Sequence, residues 1–473
     1  MTHFEPEPHK GDLAEAAPEE SEAGVIRPEF AAEVADAVAA EDGDELRRLA
    51  GDLHEADLAT LIENLPGEAR SKLVELMGSD FDFAALTEVD TNIRDQIIEE
   101  LPTQTVAEGV SELEADDALL LIEDLPPQEQ SEILQAMPAV ERVALQRSLE
   151  YPENSAGRLM QTTLVTAPPF WTAGQMIDFL RDAPEQDLPE SFFQIFVVDP
   201  AHRLIGDVFL DQLLRANAQA RLGAILDSDR RRVSVEEDRE DVARFFQRYN
   251  LVSVPVVDEA ERLVGVITID DIVDVIREEA DEEIKALGGV SPSEELSDSV
   301  WWTTKSRFLW LFVNLVTAFI ASSVLGIFQN QLQKMVALAV LAPIVASQGG
   351  NAATQTMTVV VRALATRQLT RLNTWRVIGR ELVVGVLNGA SFGIITGIGA
   401  LFWFGLTGLG VVIAFAMVTN LVSGALGGIL IPLALHKFKI DPAVSSGAFV
   451  TTVTDCVGYG SFLTFATLWF GLR

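Results

Sequence analysis

The 473-residue chain has one cysteine, Cys456, and five histidines. One thiol cannot build a disulfide framework, and the lack of any His or Cys cluster argues against zinc or copper. Basic residues are also few: 34 Lys+Arg stand against 71 Asp+Glu, a formal net charge of −37. No basic face is available to neutralise phosphates, which argues against nucleic-acid binding. The opening MTHFEPEPHKGDLAEAAPEESEAG has no apolar core segment, so a signal peptide is not expected and residues 1–24 read as a disordered acidic tail.

What the chain has in quantity is segregated. Hydrophobic residues make up 48% of it. Residues 301–473 hold 11 Lys+Arg and 3 Asp+Glu, while residues 1–300 hold 23 and 68, a net of −45. An acidic soluble half is fused to an apolar, slightly basic half, which excludes a single globular enzyme domain. Such a negative field favours cations.

Five apolar runs fill the second half: Phe308–Phe328, Met335–Val361, Leu382–Leu406, Val411–Leu435 and Ala443–Phe470. A bilayer core of about 30 Å needs about 20 helical residues, so each run predicts a transmembrane helix. Arg362, Arg367, Arg371, Arg376 and Arg380 lie between the second and third runs, and Lys437 and Lys439 between the fourth and fifth. Positive charge marks the cytoplasmic side, which predicts a multi-pass protein of the cytoplasmic (inner) membrane with the N-terminal half inside the cell and the C-terminus outside. Trp301 and Trp302 stand where an interfacial anchor is expected.

Asp455 is the one acidic residue deep in a run. A carboxylate in that position marks an ion path unless a cation pairs with it, and no Lys or Arg lies equally deep. Gly447, Thr451, Asp455 and Tyr459 recur at i+4 and share one face, a stripe suited to a pore wall. In the second run, Pro343 and Gln348-Gly349-Gly350-Asn351 predict a kink or break. Gly424, Gly427 and Gly428 read as close-packing positions.

The acidic half carries two repeats. LATLIENLP (58–66) returns as ALLLIEDLP (118–126), with IIEELP (97–102) between them. Each Leu-Pro ends a helix, because the residue before proline is pushed out of the helical region. Residues 25–150 therefore read as short amphipathic helices in a small solenoid. Second, FVVDPAHRLIGDVFLDQLL (196–214) pairs with PVVDEAERLVGVITIDDIV (255–273). The order strand, turn, strand, helix resembles a cystathionine-β-synthase-type (CBS) domain in tandem. In that resemblance Thr268 and Asp271 stand at the nucleotide-contacting end, where the first copy has Phe209 and Gln212. An adenine nucleotide such as ATP is one reading, and a CBS pair without nucleotide is the other. The stretch 270–289 that follows has apolar residues at helical spacing and seven carboxylates between Asp271 and Glu283. These would repel one another unless a cation relieved them.

The whole order resembles the MgtE family of magnesium channels and transporters, on YPENSAGRLM (151–160), the acidic connecting helix, SQGGNAATQ (347–355) and TTVTDCVG (451–458). The expected fold is a multidomain membrane protein. An all-α helical solenoid N-domain (25–150) would precede α/β tandem CBS domains (151–217 and 218–270), a connecting or plug helix (271–300) and an α-helical transmembrane domain of five spans (301–473). The resemblance implies a homodimer in the lipid bilayer, with Asp455 at the selectivity site and Gly447, Thr451 and Asn351 lining the pore. Some relatives carry Asn where this chain has Gly447. It also implies closure by cytoplasmic Mg²⁺, with Asp271, Asp274, Glu279, Glu282 and Glu283 as regulatory ligands, and Asp238 and Asp117 or its neighbour Asp116 as further ones. Mg²⁺ suits these carboxylates because it prefers oxygen and keeps its waters. Transport of Co²⁺ or Mn²⁺, or a CBS-type membrane sensor that does not transport, are the alternatives. An intramembrane protease would need paired aspartates or two histidines, and the membrane half has only Asp455 at depth and His436.

Overall fold

The structure, a computed structural model, describes residues 20–21, 25–184, 188–189, 191–227, 231–370, 372–440 and 442–472. Most of the expected tail, and Arg371, lie outside the described residues. The chain divides after Glu278 into two compact units.

The first unit opens with a two-residue antiparallel ladder, β1 (Glu20–Ser21) with β2 (Val25–Ile26). Short helices follow: α1 (Pro28–Ala39), α2 (Gly43–Ala50), α3 (Glu55–Asn64), α4 (Gly67–Met77), α5 (Thr91–Glu100), α6 (Thr103–Glu112), α7 (Ala115–Ile122), α8 (Pro127–Ala136) and α9 (Ala139–Leu149). The residue before each of three prolines ends a helix in extended conformation: Leu65 (ψ 150°), Leu101 (ψ 151°) and Met137 (ψ 153°). The proline itself then caps the next helix, since its missing N–H costs nothing there. Leu65, Leu101 and Met137 are all buried in one core that runs from Phe30 to Leu145.

The sequence repeat at offset 59 is a structural repeat. The first copy is β3 (Thr166–Ala167), α10 (Ala173–Asp182), β4 (Gln194–Val198), β5 (Leu204–Phe209), α11 (Leu210–Arg215) and α12 (Leu222–Ile225). The second is β6 (Val233–Ser234), α13 (Arg239–Tyr249), β7 (Ser253–Val257), β8 (Leu263–Thr268) and α14 (Ile269–Leu287). Each sheet pairs its first two strands parallel and its last two antiparallel. Gln194 faces Phe209 in one, and Ser253 faces Thr268 in the other. Both hairpins turn through an aspartate: Asp199 Oδ1 accepts from the Ala201 and Arg203 amides, and Asp258 Oδ1 from those of Ala260 and Arg262. The copies meet there, with the Leu263 amide donating to the His202 carbonyl at 2.9 Å.

Residues 151–161 were expected to begin the first CBS copy, yet they pack on the second. The Ala156 and Gly157 amides donate to the Glu237 and Val235 carbonyls, and Gln161 and Val266 exchange two bonds. Ala156 and Met160 lie in the second copy's core. Arg158 ties the segment back to the helical domain, donating to the Tyr151 and Leu149 carbonyls and to Glu123 at 3.0 Å.

The second unit begins in the last residues of α14. This helix stops at Leu287, short of the expected residue 300, because Gly289 takes φ +73° and Pro292 follows. Lys285 Nζ donates to the Pro292 carbonyl, and Glu294 forms a close ion pair with Arg307. Then come α15 (Val300–Ile327), α16 (Gln329–Lys334), α17 (Val336–Ala365), α18 (Thr374–Phe404), α19 (Thr407–Lys437) and α20 (Pro442–Phe470). Among the described residues, α15, α17, α18 and α19 are long and apolar enough to cross a membrane. Helix α20 has 29 residues and packs against α15, α17 and α19.

The expected break at Gly349-Gly350 is absent: α17 is helical without interruption from Val336 to Ala365, Pro343 included. The glycines serve packing instead. A Cβ on Gly349 would stand 2.0 Å from the Asn420 amide nitrogen. On Gly424 and Gly428 it would stand 2.7 Å from the Gly349 and Ala353 carbonyl oxygens. Gly427 meets nothing closer than 3.9 Å, so it is not a close-packing position. Gly389, Gly393 and Gly397 likewise let α18 lie directly on the α19 backbone, with would-be Cβ contacts of 2.7–2.9 Å.

Candidate ion pathway and divalent-cation sites

In the membrane unit, α20 presents Gly447 and Thr451 of the expected stripe on a side that the chain leaves uncovered, while Tyr459 packs against the core. A Cβ on Gly447 would meet nothing within 4 Å. Thr451 is exposed, its hydroxyl donating back to the Gly447 carbonyl at 2.9 Å. Asp455 is half-buried, and among the described residues no Lys or Arg pairs with it. Asn351 is exposed on α17. The opposite side of α20 is packed: Thr454 is fully buried near Gly350, and Gly458 lies against the Asn420 amide.

In the first unit a second set of carboxylates gathers. Asp116 and Asp117 open α7, and Asp270, Asp271 and Asp274 open α14. Burial pushes the Asp116 carboxyl well above its ordinary range, and the charges of Asp271, Asp117 and Glu114 add to it. Burial, with Glu55, Asp270, Glu88 and Asp274 nearby, raises Asp117 to about 6. Asp271 rises to about 7, chiefly by burial and then by Asp270 and Asp117, although the Thr268 hydroxyl donates to it at 2.8 Å. Asp274 and Glu88 are raised in the same way, burial first. Glu55, Glu88 and Asp270 were not singled out from sequence. They sit at a helix start, a loop and beside a chosen residue, and nothing in their spacing tells them from solvated acids.

The other expected ligands are engaged differently. Asp238 caps α13, accepting from the Glu240 amide at 2.9 Å, and is not among the charges that raise the cluster. Glu283 forms a close ion pair with Arg362 at the end of α17. Ala286 and Leu287, one turn on, pack with Ala353, Met357, Val361, Ala443 and Val450. Glu279 and Glu282 also have partners. Among the described residues no three His, Cys, Asp or Glu side chains gather closely enough to hold a metal directly. An all-oxygen, crowded but loose set fits a cation that keeps its hydration shell and takes one or two carboxylates.

At the nucleotide-contacting end, Asp271 Oδ2 accepts from the Thr268 amide at 3.4 Å as well as from its hydroxyl. Gln212 Oε1 accepts from the Phe209 amide, also at 3.4 Å, so the first copy keeps the turn and loses the hydroxyl and the charge. A narrow pocket lies beside Thr268, walled by Gln161, Leu164, Val165, Gln194 and Ser253. The Ser253 hydroxyl is buried there without a hydrogen-bond partner, so the pocket has a polar group to offer a ligand.

Comparison with known proteins gives a consistent result. The profile of the divalent cation transporter family MgtE matches residues 342–465, that of the MgtE intracellular N domain matches 53–154, and that of the CBS domain matches 223–278. The magnesium transporter MgtE of Bacillus subtilis is 28% identical over 423 residues, covering 89% of this chain and 93% of the relative. That of Thermus thermophilus is 33% identical over 331 residues, covering 69% and 72%. A crystal structure of the cytosolic domain of the Mg²⁺ channel MgtE in complex with ATP is 29% identical, with a TM-score of 0.48, and covers 52% of this chain and 99% of that one.

Proposed function

The chain belongs to the MgtE family, and from that premise we propose that it carries Mg²⁺ across the cytoplasmic membrane as a homodimer of five-span subunits, with the N-terminal half in the cytoplasm. In this reading α20 is the fifth span. It would line a central path with Gly447, Thr451 and Asp455, joined by Asn351 of α17. The observation that carries the reading is Asp455, a half-buried carboxylate with no cationic partner, on a helix side the single chain leaves open. A hydrated Mg²⁺ needs only one or two carboxylates, and a second copy across the path would supply the other.

Regulation follows from the acidic cluster. Mg²⁺ held among Asp116, Asp117, Asp271 and Asp274 would offset their mutual repulsion and draw α7 and α14 together. Glu279, Glu282 and Glu283 continue the same helix, whose Ala286 end lies against α17 and α20. Cytoplasmic Mg²⁺ binding the closed arrangement more tightly would shift the population toward it. The chemistry ATP or a related nucleotide would meet at Thr268 is a hydroxyl and the adjoining pocket. Asp271, already hydrogen-bonded to Thr268, would link that pocket to the cluster.

The test is Mg²⁺ flux into proteoliposomes. Asp455→Asn should remove it while the protein stays folded, and wild-type flux in that variant would end the assignment.

A further inference from the structure

Asn420, in the middle of α19, is completely buried. Its Nδ2 donates to the Val345 carbonyl of α17 at 2.7 Å, while its Oδ1 has no hydrogen-bond partner. A carbonyl partner fixes which end of the amide is nitrogen. An apolar side chain of the same shape would leave no orphaned acceptor, so by stability alone this residue is a poor choice. Two glycines on two other helices make room for it. A Cβ on Gly349 would stand 2.0 Å from the amide nitrogen, and one on Gly458 would stand 2.7 Å from it. Gly349 precedes Asn351 by two residues on α17, and Gly458 follows Asp455 by one turn on α20. One buried amide therefore touches both helices that carry the proposed path, within a turn of the residue each contributes.

We propose that Asn420 is a positioning residue for the transported cation: its amide is a wedge that sets the spacing and rotation of α17 against α20, and hence of Asn351 against Asp455. The inference rests on the transport reading above. Mg²⁺ tolerates little error in ligand geometry, so a wedge one atom too small would be felt in ion affinity before it is felt in folding. Loss of such a supporting contact costs about 10- to 100-fold in metal affinity.

The experiment is Mg²⁺ flux in proteoliposomes with the full chain, comparing half-saturating Mg²⁺ and maximal rate. Asn420→Ala removes the wedge, and Asn420→Leu replaces the planar amide with bulkier methyl groups and removes the hydrogen bond. Both should raise half-saturation by about 10- to 100-fold, with the Mg²⁺ over Ca²⁺ preference reduced. A purely structural role would instead lower the amount of folded protein and leave half-saturation alone. Gly349→Ala, which drives a methyl into the amide, should be defective by itself and recover when combined with Asn420→Ala. If Asn420→Ala does not accumulate, Asn420→Ser replaces it in both arms. Unchanged half-saturation in the folded variants, or no recovery in the double variant, overturns the wedge. A wild type that moves no Mg²⁺ overturns the transport reading instead, so the two failures are distinct.

Discussion

Raising pH without Mg²⁺ should pull the acidic cluster apart. Asp271 rises from the ordinary 3.8 to about 7 and Asp117 to about 6, both mainly through burial, with the neighbouring carboxylates adding to it. A carboxyl whose pKa is raised by folding is protonated more readily in the compact state. Its contribution to compactness is thus fully present below pH ~4, the unfolded value, and is lost as pH climbs through 6 to 7. Each pKa unit corresponds to about 1.4 kcal/mol, so three units at Asp271 are worth at most about 4 kcal/mol, and partial solvent screening brings this to roughly 2–4 kcal/mol. Only about 1.5 of those units lie above pH 5.5, so through Asp271 the ratio of opened to closed cluster should change by up to about 30-fold between pH 5.5 and pH 8. Hydrogen exchange in the full chain, corrected for the intrinsic pH dependence, reads this out at residues 112–122 and 268–278. In chelator, protection should be high at pH 5.5 and low at pH 8. Millimolar Mg²⁺ should restore it at pH 8 and add little at pH 5.5, because protons have already neutralised the site. Asp271→Asn should flatten the profile. Equal protection at both pH values without Mg²⁺ would refute the argument, because carboxylates that merely coat a surface have no such linkage.

Two further outcomes follow from contacts within single units. Arg158→Ala removes three hydrogen bonds at once and leaves the half-buried Glu123 without its ion pair, which should cost about 2–4 kcal/mol in the thermal or denaturant unfolding of the first unit. Arg158→Lys should restore only part of this, since one ammonium cannot bridge the same fork of acceptors. Arg362→Ala frees Glu283 from its ion pair; Arg362 is 62% exposed, so the pair is worth at most about 1 kcal/mol. With that competitor for Glu283 gone, the cytoplasmic Mg²⁺ that half-inhibits flux should fall by up to about fivefold, and an unchanged inhibition curve would show that Glu283 takes no part in the response.

Much of the fold was legible because it rests on local chemistry. Leu-Pro steps end helices through the backbone of one residue: Leu65 and Leu101 are extended where the pattern put them, while before Pro126 the helix already ends at Ile122. The offset of 59 survives as a register, since a strand–turn–strand unit closed by Asp199 or Asp258 is fixed within ten residues. The destination of residues 151–161 was not legible. Adjacency in sequence suggested the first CBS copy, but the hydrogen bonds of Ala156, Gly157 and Gln161 go to Glu237, Val235 and Val266 of the second.

The membrane site divides along the same line. Asp455 could be picked out because a carboxylate in an apolar run is anomalous whatever surrounds it. Gly349-Gly350 was equally visible and was misread, because a glycine pair in a helix has two meanings that the helix itself does not separate. It weakens the helix, and it removes the side chains that hold a neighbour away. Which meaning applies depends on what arrives from outside, and here that is the side chain of Asn420 and the backbone at Gly424. Glu283 shows the same dependence with the opposite outcome. In sequence it is one carboxylate among seven awaiting a cation, and in the folded chain Arg362, 79 residues away, already supplies a positive charge. A divalent ion that uses Glu283 must therefore compete with a guanidinium, whereas Asp116, Asp117 and Asp271 are raised by one another's charge, and Arg277 acts on Asp274 and Glu88 beside them. The strongest Mg²⁺ response should accordingly come from the carboxylates at the start of α14, not from those near its end.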